Sequence, residues 1–169
     1  MELKPYQQSV IADLEAYLTA LAETPDLRAA FKGFWAGKGI AAAQYKNNVP
    51  GVPHICVKVP TAGGKTFIAV NALRPIFDAF AAANPARSQV VVWLVPSLTI
   101  LEQTVKNLND PTHPYRQRLN GLFQNRVAIY ERRELLQGAG FSADVVREQL
   151  SITRARLRAK SQPLLTCTP

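Results

Sequence analysis

Val10, Ile11, Leu14, Tyr17, Leu18 and Leu21 recur at intervals of one, three and four, which is the apolar stripe of an amphipathic helix. Pro5 opens that helix, where its missing N–H would lack an acceptor anyway, and Thr24-Pro25 closes it. From 26 to 53 the pattern loosens under Gly33, Gly37, Gly39, Pro50, Gly51 and Pro53. One short helix carrying an aromatic group, Phe31, Phe34 and Trp35, is expected within that connection, as a satellite core. A β-type run at 54–58 leads into a glycine-containing loop, then into Phe67-Ile68-Ala69-Val70-Asn71-Ala72-Leu73, read as a helix. Ile76, Phe77 and Phe80 carry it past Pro75 to about Ala83, and Asn84-Pro85 ends it. Val90-Val91-Val92-Trp93-Leu94-Val95 is an uninterrupted apolar run, expected as a strand buried on both faces of a parallel sheet. With the 54–58 run about 35 residues earlier and a helix between, it predicts a right-handed βαβ unit. Pro96 stops the strand, and Ser97 caps a helix with Leu98, Leu101, Val105 and Leu108 on one face. Arg126-Val127-Ala128-Ile129-Tyr130 predicts a third strand, a helix is expected from about Ser142 through Leu157, and Leu164-Leu165-Thr166-Cys167 a fourth strand.

Composition changes this picture little. The 169 residues are one domain's worth, and 47% hydrophobic with 19% charged is ordinary for a globular chain. No apolar run approaches the ~20 residues of a membrane span, and the N-terminus lacks a signal-peptide layout. A cytoplasmic protein with no membrane partner is the expectation. Two cysteines, Cys56 and Cys167, without a C-x-x-C pair argue against a disulfide framework or a zinc site. Cys56 is expected as a buried, inert strand thiol, and His54 and His113 as structural or surface residues.

Charge is informative through its distribution. The net +8 divides into +2 over residues 1–115 and +6 over 116–169, where nine of ten basic residues are Arg. Arginine suits bidentate phosphate contacts, so either a polyanion partner or a solvated basic face is implied.

The chemistry concentrates in Val59-Pro60-Thr61-Ala62-Gly63-Gly64-Lys65-Thr66. A strand, a loop ending Gly-Lys-Thr and a helix form the context of a phosphate-binding loop. Loop N–H groups curl around an anion, and the helix N-terminus adds its own N–H groups and dipole. Lys65 would reach the β- and γ-phosphates, and the Thr66 hydroxyl would ligate Mg²⁺. Val59 occupies the first glycine position of the full pattern, which is therefore incomplete.

Three segments resemble, in order and spacing, motifs of superfamily 2 helicases and translocases. Leu3-Lys4-Pro5-Tyr6-Gln7 resembles their N-terminal adenine motif, residues 60–66 their motif I, and Leu94-Val95-Pro96-Ser97-Leu98-Thr99-Ile100-Leu101-Glu102-Gln103 their motif Ia. The resemblance is strongest to the motor (R) subunits of type III and related restriction systems. It implies an α/β fold: a partial RecA-like P-loop domain with a mostly parallel sheet flanked by helices, preceded by an N-terminal helix. The chain reads as a single, C-terminally incomplete motor lobe, with the adenine-motif part at 1–53 and the P-loop core and basic part at 54–169. The resemblance further implies that Gln7 hydrogen-bonds adenine with Tyr6 or Pro5 beside the base. Thr61, Ala62, Gly63, Gly64, Lys65 and Thr66 would hold ATP and Mg²⁺, with Lys65 and Thr66 catalytic. Pro96, Ser97 and Thr99 would touch the nucleic-acid backbone. Double-stranded DNA, a second RecA-like lobe and a modification subunit are the implied partners.

Two departures stand out. Ala62 replaces a glycine usual in the family, and Gly63 is expected to take over its flexibility. No Asp-Glu pair, which would hold Mg²⁺ and orient the attacking water, occurs anywhere in the sequence. The chain is thus expected to bind ATP and hydrolyse it poorly. The alternatives are a non-catalytic nucleic-acid-binding module using the Arg-rich third and, with less support, a P-loop small-molecule kinase.

Overall fold

The computed structural model describes residues 1–87, 89–131 and, for the backbone, 148–154. The chain forms two compact units, Met1–Pro85 and Ala86–Pro169.

The first unit is helical. α1 (Pro5–Glu23) packs against both α2 (Leu27–Gly37) and α3 (Lys65–Ala83). Its apolar stripe buries Leu14 and Tyr17. α3 supplies Phe67, Ile68, Val70, Leu73 and Phe77 to the same core. Removing Phe67 and Val70 almost completely from water is worth about 1.5–3 kcal/mol each. By length and composition α3 would qualify as a membrane span among the described residues, but those buried side chains face protein. Pro75 is accommodated within the continuous helix, which ends at Asn84 as expected.

Asp26 caps α2 by accepting the backbone N–H groups of Arg28 at 2.8 Å and Ala29 at 3.1 Å. Those bonds, with Ala29's the larger effect, hold its carboxyl below the usual carboxylate range. The expected satellite core forms: Tyr17 meets Phe31 and Phe34 edge-on, Trp35 joins both, and Tyr45 lies against Phe31. Burial, with Tyr45 beside it, pushes the Tyr17 phenol up to about 12. Lys38 links the two helices by pairing with Asp13 and lying over the Phe34 ring.

The 54–58 run does not form the expected strand. Its backbone has no ladder partner among the described residues, Ile55 and Val57 are exposed, and Cys56 is exposed rather than buried. β-propensity alone does not make a strand; cross-strand neighbours do. The anticipated βαβ pairing with the 90–95 run is therefore not shown.

In the second unit, β1 (Gln89–Val95) is followed by α4 (Leu98–Asn109), α5 (Pro114–Phe123), β2 (Ala128–Glu131) and β3 (Glu148–Arg154). All pairings are parallel in the order β1-β3-β2, with Gln89 opposite Glu148 and Ala128 opposite Gln149. β3 corrects the helix expected from about Ser142, since Gln149, Leu150 and Ile152 lie in a strand. The alternation in Gln149-Leu150-Ser151-Ile152-Thr153 is the two-residue period of a strand, which the longer helical count obscured. β1 is not buried on both faces either, because Val90, Val92 and Leu94 are exposed. A continuous apolar run says that both faces suit burial, not that both are covered.

A sheet flanked by helices is not what the described residues show: helices predominate, and α4 contacts all three strands. α5 was not anticipated. His113 caps it by accepting the Tyr115 N–H at 3.2 Å, and Pro114 opens it. Arg116 fastens it, donating to the Leu108 carbonyl at 3.3 Å and the Val127 carbonyl at 3.2 Å. The remainder of the expected helix, the basic run at 155–160 and the expected strand at 164–167 lie outside the described residues.

Candidate phosphate-binding site

The loop at 59–66 lies wholly in the first unit, between the extended 52–60 segment and α3. It begins with a tight turn in which Gly63 N–H donates to the Pro60 carbonyl at 3.0 Å. Gly64 is the residue preceding α3 and takes the left-handed conformation, φ +70°. The first intrahelical bond runs from Ile68 N–H to the Gly64 carbonyl at 3.0 Å. The N–H groups of Lys65 and Thr66 therefore belong to the first turn, where the helix itself offers no acceptor.

Each glycine has its own physical reason. A Cβ at Gly63 would lie 2.6 Å from Val59 Cγ1 and 2.9 Å from the Pro60 carbonyl oxygen, so the position needs space. At Gly64 a Cβ would lie 2.6 Å from Gln7 Nε2, and the backbone is left-handed as well. The expectation that Gly63 substitutes for the flexibility of the missing glycine is overturned. Ala62 itself adopts φ +62°, whereas Gly63 does not enter the positive-φ region. The left-handed state costs an L-residue roughly 1–2 kcal/mol. Ala62→Gly should therefore stabilise the chain by about 0.5–1 kcal/mol once the greater freedom of the unfolded glycine is counted. Urea unfolding measures this, and a lowered midpoint would contradict the left-handed assignment.

The N-terminal motif reaches this loop directly. The Tyr6 hydroxyl donates to the Gly63 carbonyl at 2.7 Å, and Gln7 Nε2 donates to the same carbonyl at 3.1 Å. Gln7 Oε1 in turn accepts the Lys4 N–H at 2.9 Å, from the residue that precedes α1. Gln7 is buried at 3% exposure, so it is not a solvated surface residue, whereas the Tyr6 ring is 43% exposed. Tyr6 and Gln7, expected as base contacts, also bond the loop's backbone, which no pattern of side-chain types reveals.

Lys65 is exposed, and its Nζ donates to the Pro60 carbonyl at 2.9 Å. That carbonyl thus serves both the turn and the lysine. Thr61 and Ala62 are exposed on the loop, and Thr66 is half-buried in the first turn of α3. The donor set is what a phosphate chain requires: N–H groups at a helix start, one mobile ammonium, and a hydroxyl suited to Mg²⁺.

Pro96, Ser97 and Thr99 lie in the second unit, at the β1–α4 junction. Pro96 and Thr99 are exposed. Ser97 Oγ accepts the Ile100 N–H at 3.3 Å, so it caps α4.

The family model described as type III restriction enzyme, res subunit, matches residues 1–143. The chain belongs to this family. The match takes in the Tyr6–Gln7 segment, the loop at 59–66 and the β1–α4 junction, and it makes the chain a member of a RecA-like, helicase-like group of restriction subunits. No curated protein and no solved structure matches it.

Proposed function

We propose that this res-subunit chain is the ATP-binding part of a DNA-dependent ATPase, a helicase-like translocase acting in restriction. The observation that carries the reading is the bond pair from Tyr6 and Gln7 to the Gly63 carbonyl, which builds the N-terminal motif into the phosphate loop. Bound ATP would supply the phosphoryl transfer that powers movement on DNA. The chain's own part is to bind and orient. The N–H groups of Gly64, Lys65 and Thr66 would hold the phosphates, and the Lys65 ammonium, now on the Pro60 carbonyl, would hold a phosphate oxygen. The Thr66 hydroxyl would hold Mg²⁺, which would offset phosphate charge there. Tyr6, exposed beside the loop, would pack against the base, while Gln7 would join base recognition to the loop's backbone.

Pro96, Ser97 and Thr99 serve as backbone contacts for double-stranded DNA, with capping and contact compatible at Ser97. A second RecA-like lobe and a modification subunit complete the assembly, which works in the cytoplasm. Without an Asp-Glu pair in this sequence, bound ATP turns over slowly on this chain. Family membership favours this motor over a small-molecule kinase.

The test is titration of the 169-residue chain with a fluorescent ATP analogue, with Mg²⁺ and with EDTA. Saturable, Mg²⁺-enhanced binding with little turnover is expected. Absence of binding with Mg²⁺ overturns the reading.

A further inference from the structure

Besides the phosphate loop, the first unit contains an open cleft of about 480 Å³ between one face of α2 and the extended chain after it. That volume suits a ligand of roughly nucleotide size. Arg28 and Lys32, four residues apart, stand on the same side of α2, with Phe31 between them on that face. Ile40, Gln44 and Tyr45 complete the lining, with Tyr45 against Phe31. No acidic side chain lines the cleft, and residues 27–47 carry four basic side chains and no acidic one.

The aromatic wall is held in place. Phe31 and Tyr45 lie 5.2 Å apart between ring centroids, and the Tyr45 hydroxyl accepts the His54 N–H at 3.1 Å. Two cations beside a fixed apolar wall, with an amide at the rim, is the composition that recognises a phosphodiester carrying an unstacked base. The cations take the phosphate, the arginine in bidentate fashion, and the wall takes the face of the base. A duplex keeps its bases stacked inside and presents no such face, so the fit is to a single strand.

We infer that the cleft of Arg28, Lys32, Phe31, Ile40, Gln44 and Tyr45 is a single-stranded nucleic-acid subsite of this protein. The inference rests on the proposed DNA motor and adds a single-strand site built from residues other than those of the β1–α4 junction. It also revises the charge census: the site lies in the part of the chain whose net charge is nearly balanced, because the acids there sit elsewhere.

The experiment measures fluorescence anisotropy of labelled single-stranded and duplex oligonucleotides over a salt series. It compares the full chain with Arg28→Ala/Lys32→Ala, with Ala43→Glu in the cleft lining, and with Arg74→Ala as a charge control on α3. All substituted side chains are exposed, so circular dichroism should be unchanged. The double variant is expected to bind single strands about tenfold more weakly at low salt, with a log–log salt slope smaller by about 1.4. Ala43→Glu should weaken binding similarly, and Arg74→Ala should not. Unchanged affinity and slope in the double variant overturn the subsite. So do equal losses on duplex and single strand, or binding of polyglutamate that disappears with the same substitutions. Binding of the fluorescent ATP analogue is measured on the same samples. Its absence in the unsubstituted chain defeats the motor reading while leaving a positive oligonucleotide result in force.

Discussion

Gly64→Ala should lower nucleotide affinity at least tenfold, and adding Gln7→Ala should cost less in that background than in the unsubstituted chain. The glycine carries two burdens. Its backbone is left-handed, which costs an alanine about 1–2 kcal/mol, and a Cβ there would lie 2.6 Å from Gln7 Nε2. The first burden is intrinsic to residue 64 and survives any change at residue 7. The second disappears when the amide is removed. A double-mutant cycle separates them, with an expected coupling in the range of about 0.5–3 kcal/mol for side chains in contact. Strictly additive losses would show that the amide can move aside, and that Gln7 does not constrain the loop. The cycle is best read by nucleotide titration together with urea unfolding, so that a stability loss is not mistaken for an affinity loss.

Lys65→Ala should separate binding from folding even more sharply. The side chain is exposed, and the bond it makes is to the Pro60 carbonyl, so unfolding should shift by no more than about 0.5 kcal/mol. A charge-assisted contact to phosphate is worth about 1.5–3 kcal/mol, which converts to a roughly 10- to 150-fold loss of ATP affinity. Arginine should rescue poorly, since its planar fork does not reproduce a compact, mobile ammonium. Unaltered affinity in Lys65→Ala would remove Lys65 from the phosphate site. Loss of fold would show that the bond to Pro60 holds the loop rather than merely engaging an idle lysine.

The helices were largely legible because their signals are local. Pro5 and Thr24 bracket α1, Asp26 precedes α2, Ser97 caps α4, and apolar residues return every three or four positions in between. α5 is hard to read from sequence although His113-Pro114 is a start signal, because its apolar residues are few and lie among Arg116, Gln117, Arg118 and Asn120. Strands fared worse, for a physical reason. Residues 54–58 and 149–153 differ little in propensity, yet the second run finds two parallel neighbours and the first finds none among the described residues. Pairing is decided by the rest of the chain. At the site, side-chain identities pointed to the loop at 59–66. The two contacts that define its shape, to the carbonyls of Gly63 and Pro60, involve backbone atoms common to every residue. Ala62 carried a usable warning, but which neighbour would take the unusual torsion could not be read from composition.

The Gln7–Gly63 bond joins positions 56 residues apart, and this bears on the order in which the molecule assembles. α1 and α3 can each begin to coil from local contacts within microseconds, whereas a contact of such separation must await closure of the long intervening segment. The phosphate loop therefore acquires its final shape only after α1 has docked on α3. A nascent chain has its helices before it has the finished loop, and anything that delays the docking of α1 should postpone the proposed ATP binding without disturbing α3.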